Sequence, residues 1–308
     1  MKKVILLVAF SITWVFFLTA QDSGTDQKPV NSNRSLLGYF ILEDSRPIRN
    51  PYESGILIDN QTNVIPTAKT LEFVIQHRFG SLENGFSDFL GIYGAANTRL
   101  ALNYSITDWA QVGFGTTKNY KLQDFSAKIN ILKQSRDKKS PVDVTYYGNW
   151  AIDARDKDFF GEDYQFSSRF SFFNELLITR QFTDWLTLSA GGSFSHFNAV
   201  DTLVDQHDHD KIALHFLGRV KFSPQSSIII NFDLPLQIDG LNSRSDLSSH
   251  YNFGIGYEVA TATHAFQIFA GTGTYLVPQY NVMKNDKEFF KGTGNIFLGF
   301  NITRLWSF

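Results

Sequence analysis

The feature that most constrains the fold is an alternation of apolar and polar residues that starts near Thr70 and continues to the C-terminus. Because successive side chains of a β-strand point to opposite faces, this alternation predicts strands with one apolar and one polar face. We predict about twelve strands of about ten residues, the length that a tilted strand needs to cross a bilayer. The predicted strands are residues 70–79, 98–106, 110–118, 124–134, 142–150, 165–180, 186–197, 211–222, 226–238, 250–261, 265–276 and 295–306.

The predicted connections alternate in length. Most odd-numbered connections are long, and the exception is the short third one at residues 119–123. The even-numbered connections are tight, as at residues 107–109, 183–185 and 223–225. Short turns on one rim and long loops on the other are the layout of outer-membrane barrels. The fold class that we predict is therefore all-β, a transmembrane antiparallel β-barrel with both termini on the short-turn side.

The polar faces of the predicted strands carry charged residues. In a dry core each unpaired charge would cost several kcal/mol, so these faces suit a wet lumen. Two interpretations remain open: the charges select solutes in a pore, or they pair across a narrow, filled barrel. The candidate lumen-lining residues are Arg78, Arg99, Lys128, Arg169, Glu175, His215, Arg219, Asp233 and Glu258.

The N-terminus precedes the alternating region and has two parts. Lys2 and Lys3 are followed by an apolar run over residues 4–18 and by Thr19-Ala20, which predicts a secretory signal peptide over residues 1–20. Residues 21–69 are rich in Asn, Asp, Pro and Ser, and we expect a periplasmic arm or a plug inside the barrel. The predicted organisation is thus residues 1–20, 21–69 and 70–308, with secretion through the inner membrane to the outer membrane.

Aromatic residues support the barrel interpretation. The chain has 30 Phe, 12 Tyr and 5 Trp, and aromatic residues concentrate at the membrane interfaces of barrels. Trp109, Trp185 and Trp306 all fall on the predicted short-turn rim, where we expect an aromatic girdle. The chain ends in Phe308, and an aromatic end to a final strand predicts an assembly signal read by the barrel-assembly machinery.

Other functional classes have weaker support. His207 and His209 lie in the run DQHDHD, a weak metal candidate in a predicted external loop, and we expect no metal and no cofactor. Ser195-His196 and Ser249-His250 cannot act as hydrolytic pairs, because adjacent strand residues face opposite sides. The chain has no cysteine, and no basic cluster suggests a nucleic-acid partner. We therefore do not expect an enzyme.

Two segments resemble a known family. Residues 71–80 (LEFVIQHRFG) and 97–109 (NTRLALNYSITDW) are similar to an uncharacterised family of outer-membrane β-barrels, a domain of unknown function common in Bacteroidota-type bacteria. The resemblance covers residues 64–308. It implies the barrel fold and the outer-membrane location, and it brings no reaction, ligand or functional residue.

Three functional hypotheses follow. The first is a narrow pore for a small polar solute, with a preference for anions because Arg and Lys outnumber acids on the predicted lumen face. The second is a non-conducting barrel that scaffolds partners or presents surface loops, plugged by its own arm. The third is a membrane-embedded lipid hydrolase. In each case the expected surroundings are outer-membrane lipid.

Overall fold

The twelve predicted strands form one closed antiparallel barrel in the computed structural model, which describes residues 45–49, 51–200, 208–238, 241 and 249–308. The predicted signal peptide, the arm before residue 45 and His207 lie outside the described residues. Two short strands, β1 (Ile56–Leu57) and β2 (Asn60–Gln61), precede the barrel and pair with each other. The barrel strands are β3 (Thr70–Ser81), β4 (Asn97–Thr107), β5 (Ala110–Thr117), β6 (Gln123–Leu132), β7 (Asp143–Ile152), β8 (Phe170–Gln181), β9 (Leu186–Phe197), β10 (Asp210–Lys221), β11 (Ser226–Pro235), β12 (Asn252–Ala260), β13 (His264–Gly271) and β14 (Phe297–Ser307).

The barrel closes between its first and last strands. Each strand pairs with its sequence neighbour, and β14 pairs with β3 in a register that runs from Phe297 opposite Ser81 to Ser307 opposite Thr70. Closure leaves no unpaired strand edge, which is what a spanning sheet requires in lipid. Tight turns join β4 to β5, β8 to β9, β10 to β11 and β12 to β13, and the longer connection over residues 133–142 joins β6 to β7 on the same rim. The predicted fold class is confirmed.

The predicted bounds differ most from the structure at the start of β8 and at the end of β13, which is Gly271 rather than residue 276. We predicted a start at residue 165, but Phe166–Arg169 form a 3-10 helix and the strand begins at Phe170. The backbone N–H of Gln165 donates to Ser168 Oγ at 3.3 Å, and this local bond competes with strand pairing. Strand β9, by contrast, has the predicted bounds.

The apolar faces of the strands point outward. On β4, Leu100, Leu102, Tyr104 and Ile106 are between 40% and 53% exposed, while Ala101 and Ser105 are buried. A band of exposed apolar side chains of this kind suits contact with lipid acyl chains. Among the described residues, no helix is long and apolar enough to cross a membrane.

Two segments fill the space that the inward faces enclose. The first, residues 51–65, contains β1 and β2 and is called the lumen hairpin below. The second is the helix α1 (Pro278–Lys284), which lies in the long connection between β13 and β14 and whose residues 279–283 are all buried. The polar face of the barrel therefore meets protein rather than open solvent along much of the lumen.

Candidate functional site

The lumen hairpin turns at Ile58. This residue has φ 55°, a left-handed conformation that is costly for a β-branched side chain. The barrel wall holds the turn in place: Ile58 N–H donates to Gln267 Oε1 at 3.1 Å, and Asn301 Nδ2 donates to the Ile58 carbonyl at 2.8 Å. The strained turn is thus stabilised by side chains of β13 and β14.

Basic residues of the wall bind the hairpin directly. Arg78 Nη2 lies 2.6 Å from Asp59 Oδ1, and both side chains are at most 2% exposed. Arg219 donates to the Pro51 carbonyl and to Glu53 Oε1, each at 2.8 Å. These are charge-assisted hydrogen bonds, which are stronger than bonds between neutral groups, and the Arg78–Asp59 pair is fully buried. Two of the predicted lumen cations therefore fix the position of the hairpin.

Lys128 and neutral wall residues extend this attachment. Lys128 Nζ donates to the Gly55 carbonyl at 2.8 Å. Tyr52 Oη lies 2.8 Å from Ser189 Oγ, and Ser54 Oγ lies 2.9 Å from Thr303 Oγ1. Polar bonds from the hairpin reach strands β3, β6, β9, β10, β11, β13 and β14. The hairpin is consequently anchored around much of the barrel circumference.

Apolar packing fills the remaining space around the hairpin. Its residues Tyr52, Leu57, Ile58 and Val64 form one buried cluster with wall side chains. The wall members of that cluster are Leu177, Leu217, Ile229 and Phe269. A cavity of about 10 Å³ beside Gly55 is large enough for about one water molecule. This level of the lumen is therefore packed like a protein core.

The acidic wall residues have different partners. Asp233 accepts a hydrogen bond from the Asn60 side-chain amide of the hairpin and lies 2.8 Å from His215 Nδ1. Glu258 accepts from Gln267 Nε2 at 2.9 Å and lies 3.4 Å from Arg219. Glu175 is 3% exposed on β8. All three face inward, as the alternation predicts.

Three of these neighbours have the order of a hydrolytic triad. Ser193 Oγ lies 2.6 Å from His215 Nε2, and His215 Nδ1 lies 2.8 Å from Asp233 Oδ1. A serine hydrolase also needs room for a substrate carbonyl at the serine and donors for its oxyanion. Ser193, however, is 5% exposed, His215 is 1% exposed, and Asp233 also bonds the hairpin. The chain of bonds fits a packed interior better than a substrate site.

Arg99 is a wall residue that pairs within the wall. It donates to both carboxylate oxygens of Asp124, at 2.9 and 2.6 Å, and to Gln76 Oε1 at 2.8 Å. Asn149 Nδ2 also donates to Asp124, at 3.1 Å. This bidentate pair joins β4 to β6 across the intervening β5, so it has a structural role of the kind expected in a narrow barrel.

The long-loop half of the lumen is filled by α1. Gln279 Nε2 donates to Asn149 Oδ1 at 3.0 Å and to Ser171 Oγ at 3.2 Å. Tyr280 and Met283 belong to a buried cluster with Val277, Phe197 and Leu122, and Val282 packs with Tyr147, Phe173 and Ala213. The helix is thus seated mainly by apolar contacts, with a few amide bonds.

The predicted lumen residues fall in two groups. Eight of them lie on inward strand faces and are buried: Arg78, Arg99, Lys128, Glu175, His215, Arg219, Asp233 and Glu258. The prediction for Arg169 is wrong, because this residue ends the 3-10 helix before β8 and bonds within the long β7–β8 connection. Sequence reasoning missed Asp124, Ser193, Gln267 and Asn301, although the same alternation places them on the inward face.

The correction of Arg169 changes the charge balance of the wall. The inward charged residues on the described strands are Arg78, Arg99, Lys128, Lys211, Arg219 and Lys221 against Glu72, Asp124, Asp143, Glu175, Asp233 and Glu258. The cationic excess behind the expected anion preference is therefore absent from these strands. Neither sign of solute is favoured by the wall charge alone.

The remaining predicted residues lie at the rims. Trp109 and Trp185 are each 54% exposed in tight turns, and Trp306 is 37% exposed near the end of β14. All three lie on the short-turn rim, and their role as a girdle stays a prediction. Phe308 is 83% exposed, and its N–H donates to the Lys69 carbonyl at 3.2 Å. Its role in assembly also stays a prediction.

The metal candidates have little support in the described part of the chain. His209 Nδ1 lies 2.6 Å from the Phe197 carbonyl oxygen, and its ring stacks at 6.2 Å on His196. Among the residues that the structure describes, no group of three His, Cys, Asp or Glu side chains could hold a metal ion. His209 therefore has a local structural contact on the long-loop side.

Comparison with known proteins gives one firm result. The KdgM porin is similar at 7% sequence identity and a TM-score of 0.44, over 78% of this chain and 99% of that one. The CymD monoaromatic hydrocarbon channel is similar at 9% identity and a TM-score of 0.36, over 79% of this chain and 89% of that one. LpxR from Salmonella typhimurium is similar at 8% identity and a TM-score of 0.38, over 78% of this chain and 100% of that one. Likeness this distant carries no inference about activity. No curated protein sequence matches the chain. The family model described as "Membrane bound beta barrel domain (DUF5777)" matches residues 52–306, and the chain therefore belongs to this family of membrane-bound β-barrels.

Proposed function

We propose that the protein is an outer-membrane β-barrel whose lumen is closed by its own hairpin, and that it acts through the surface that its long loops present. The observation that carries this proposal is the burial of the lumen charges. Arg78, Glu258 and Asp233 are each 1% exposed and Arg219 is 4% exposed. In an open, wet pore these side chains would be hydrated.

The energetics support a closed resting state. Withdrawing the hairpin would remove Asp59 from Arg78, and breaking such a buried pair typically costs about 3–5 kcal/mol. The hairpin would also lose its apolar contacts with Leu217 and Phe269. A state with the lumen cleared is therefore rare in the absence of a force or ligand that favours it.

Electrical recording tests the closed lumen. We expect the folded full-length protein to be silent in a planar bilayer, with folding checked by the mobility shift of unheated samples in gel electrophoresis. Steady single-channel current from the unmodified protein would contradict the proposal. Retention in the membrane pellet after carbonate extraction, together with the outer-membrane marker in a density gradient, would test the proposed location.

A second candidate is gated passage of a small polar solute. It is favoured by the wall itself, because Arg78, Lys128 and Arg219 use the hairpin as their acceptor and would face a polar channel if it left. Deletion of residues 21–69 removes the hairpin that closes the lumen, so current from the deletion variant is compatible with both candidates, and recordings from the full-length protein have to separate them.

The absence of cysteine allows a sharper version of this experiment. Ser54 Oγ and Thr303 Oγ1 are 2.9 Å apart, so the double variant Ser54→Cys/Thr303→Cys can join the hairpin to β14 by a disulfide. Gated passage predicts openings that appear only after reduction. The closed-barrel proposal predicts the same silence in the oxidised and the reduced protein.

A further inference from the structure

A basic cleft on the long-loop side has no role in closing the lumen. It lies between the β7–β8 connection and the short connection after β5, and its volume is about 550 Å³. Four of its seven lining residues are cationic, and one is acidic; the lining consists of Lys121, Ala154, Arg155, Asp156, Lys157, Tyr164 and Arg169. We call this the rim cleft.

Arg169 is the fixed cation of the rim cleft. Its Nη1 donates to the carbonyls of Asp153 and Arg155 at 2.7 and 2.6 Å, and its Nε donates to Tyr164 Oη at 2.6 Å. All three acceptors are neutral, so these bonds orient the guanidinium without cancelling its charge. Within the described residues, Nη2 has no hydrogen-bond partner and Arg169 forms no ion pair. A positioned guanidinium with an unused donor is suited to binding an oxyanion.

The neighbouring charged side chains add to the positive potential of Arg169. Arg155 is bound bidentately by the Asp153 carboxylate, with Nη2 at 2.8 Å and Nε at 3.0 Å, so it forms part of the cleft wall. Lys121 and Lys157 are exposed and form no ion pair among the described residues. Together with Arg169 they are three cations, and the one carboxylate in the lining is that of Asp156. The cleft is therefore positive where a ligand would enter.

One wall of the cleft packs toward the helix that fills the lumen. The Arg155 guanidinium lies 4.1 Å from the Tyr120 ring centroid, and Tyr120 packs at 5.3 Å on Tyr280 of α1. This wall therefore faces the lumen axis, which favours a ligand that comes from solution.

We propose that the rim cleft binds a soluble phosphate monoester, with Arg169 Nη2 as the oriented donor and Lys121 and Lys157 as flanking charges. This inference deepens the proposed function, because it assigns a ligand class to the surface that the long loops present. The volume of the cleft accommodates a phosphorylated monosaccharide.

Calorimetric titration of the folded full-length protein in detergent tests the proposal, with glucose 6-phosphate as the probe. We expect saturable binding, no binding of glucose, and weaker binding as the salt concentration rises, because exposed charges are screened. The double variant Lys121→Ala/Lys157→Ala should weaken binding about tenfold, which corresponds to about 1.4 kcal/mol. Both lysines are exposed, so the variant should fold normally.

Two further variants complete the experiment. Lys291→Ala removes an exposed lysine of the same rim that pairs with Glu288, and its affinity should be unchanged. Arg169→Lys keeps the positive charge but loses the planar guanidinium with its several donors, so its affinity should fall although the net charge of the cleft is unchanged. Absence of binding, or equal affinity in the wild type and the lysine double variant, would overturn the proposal.

Vesicles containing phosphatidylglycerol distinguish the source of the phosphate. Binding to such vesicles that depends on Lys121 and Lys157, without binding of glucose 6-phosphate, would replace the soluble ligand by a lipid headgroup and overturn the assignment. The titration is independent of the state of the lumen. Current from the wild type would thus refute the closed barrel and leave the rim cleft unaffected, while failure of binding would leave the closed barrel standing.

Discussion

The two segments that fill the lumen are held by different kinds of contact. The lumen hairpin is bound by ion pairs, the buried pair of Arg78 with Asp59 and the partly exposed pair of Arg219 with Glu53. The helix α1, on the long-loop side, is seated by the apolar side chains of Tyr280, Val282 and Met283. The same barrel wall therefore uses charge for one segment and shape for the other.

This difference predicts two responses to substitution. A buried ion pair tolerates almost no change, since removing one partner leaves an uncompensated charge in a dry interior. An apolar contact tolerates exchange for a side chain of similar volume and is sensitive mainly to cavities. The stability contributed by the lumen hairpin should therefore depend on the charge of its residues, and that contributed by α1 on the size of its side chains.

The largest expected effect is at Arg78. We expect Arg78→Ala to lower the free energy of unfolding by about 3–5 kcal/mol, because Asp59 would stay buried without its partner. Urea unfolding in detergent, followed by tryptophan fluorescence, measures this change. The double variant Arg78→Ala/Asp59→Asn should recover part of the loss. A loss below about 1 kcal/mol in the single variant would mean that the hairpin is already free of the wall.

A smaller effect is expected at Met283 of α1. Met283→Ala should cost about 2–4 kcal/mol because it opens a cavity in a buried cluster. Met283→Leu should cost less than about 1.5 kcal/mol, because the volume is nearly kept. The same unfolding experiment applies to both variants. Equal losses for the leucine and alanine variants would show that this segment depends on more than size.

The alternation of the sequence predicted the barrel well because the direction of a strand side chain is a local property. Arg78 and Arg219 occupy the predicted face, and β9 has the predicted bounds. The error at Arg169 has a local cause too, since residues 165–169 alternate like a strand while the Ser168 hydroxyl bonds the Gln165 backbone. Alternation alone cannot distinguish these two outcomes.

The lumen hairpin could not be predicted in the same way, because its conformation depends on residues far away in the sequence. Ile58 would by propensity avoid a positive φ, yet Gln267 and Asn301 hold it there. A plug over residues 21–69 was one of two expectations for that segment. Its bonds could not be predicted, because Asp59 meets Arg78 only after the barrel has closed. Which face of a strand a residue occupies is therefore a local property, whereas the partner that its side chain finds in the lumen depends on the tertiary structure.

A third variant probes how closely the hairpin approaches the wall. At Gly254 an added Cβ would meet Asn231 Oδ1 of the wall and would lie 2.9 Å from Ile58 Cγ2 of the hairpin, so Gly254→Ala should cost about 2 kcal/mol through overpacking against both. Gly192 is the matched control, since its added Cβ would meet nothing closer than the Ala213 carbonyl oxygen at 3.9 Å. Gly192→Ala should leave the unfolding free energy unchanged or slightly raised. Equal effects in the two variants would contradict close hairpin packing.

The smallest expected effect concerns Ser193, and it separates packing from catalysis. Ser193→Ala should cost about 1 kcal/mol, the typical net value of one hydrogen bond, here the one to His215. A fluorophosphonate probe should leave Ser193 unlabelled in the folded protein, because Ser193 is 5% and His215 1% exposed and no substrate carbonyl can reach the hydroxyl. Labelling at Ser193 that disappears in the His215→Ala variant would instead assign the buried chain of bonds to a hydrolase. Labelling that appears only when residues 21–69 are deleted would show that the lumen hairpin conceals a reactive serine.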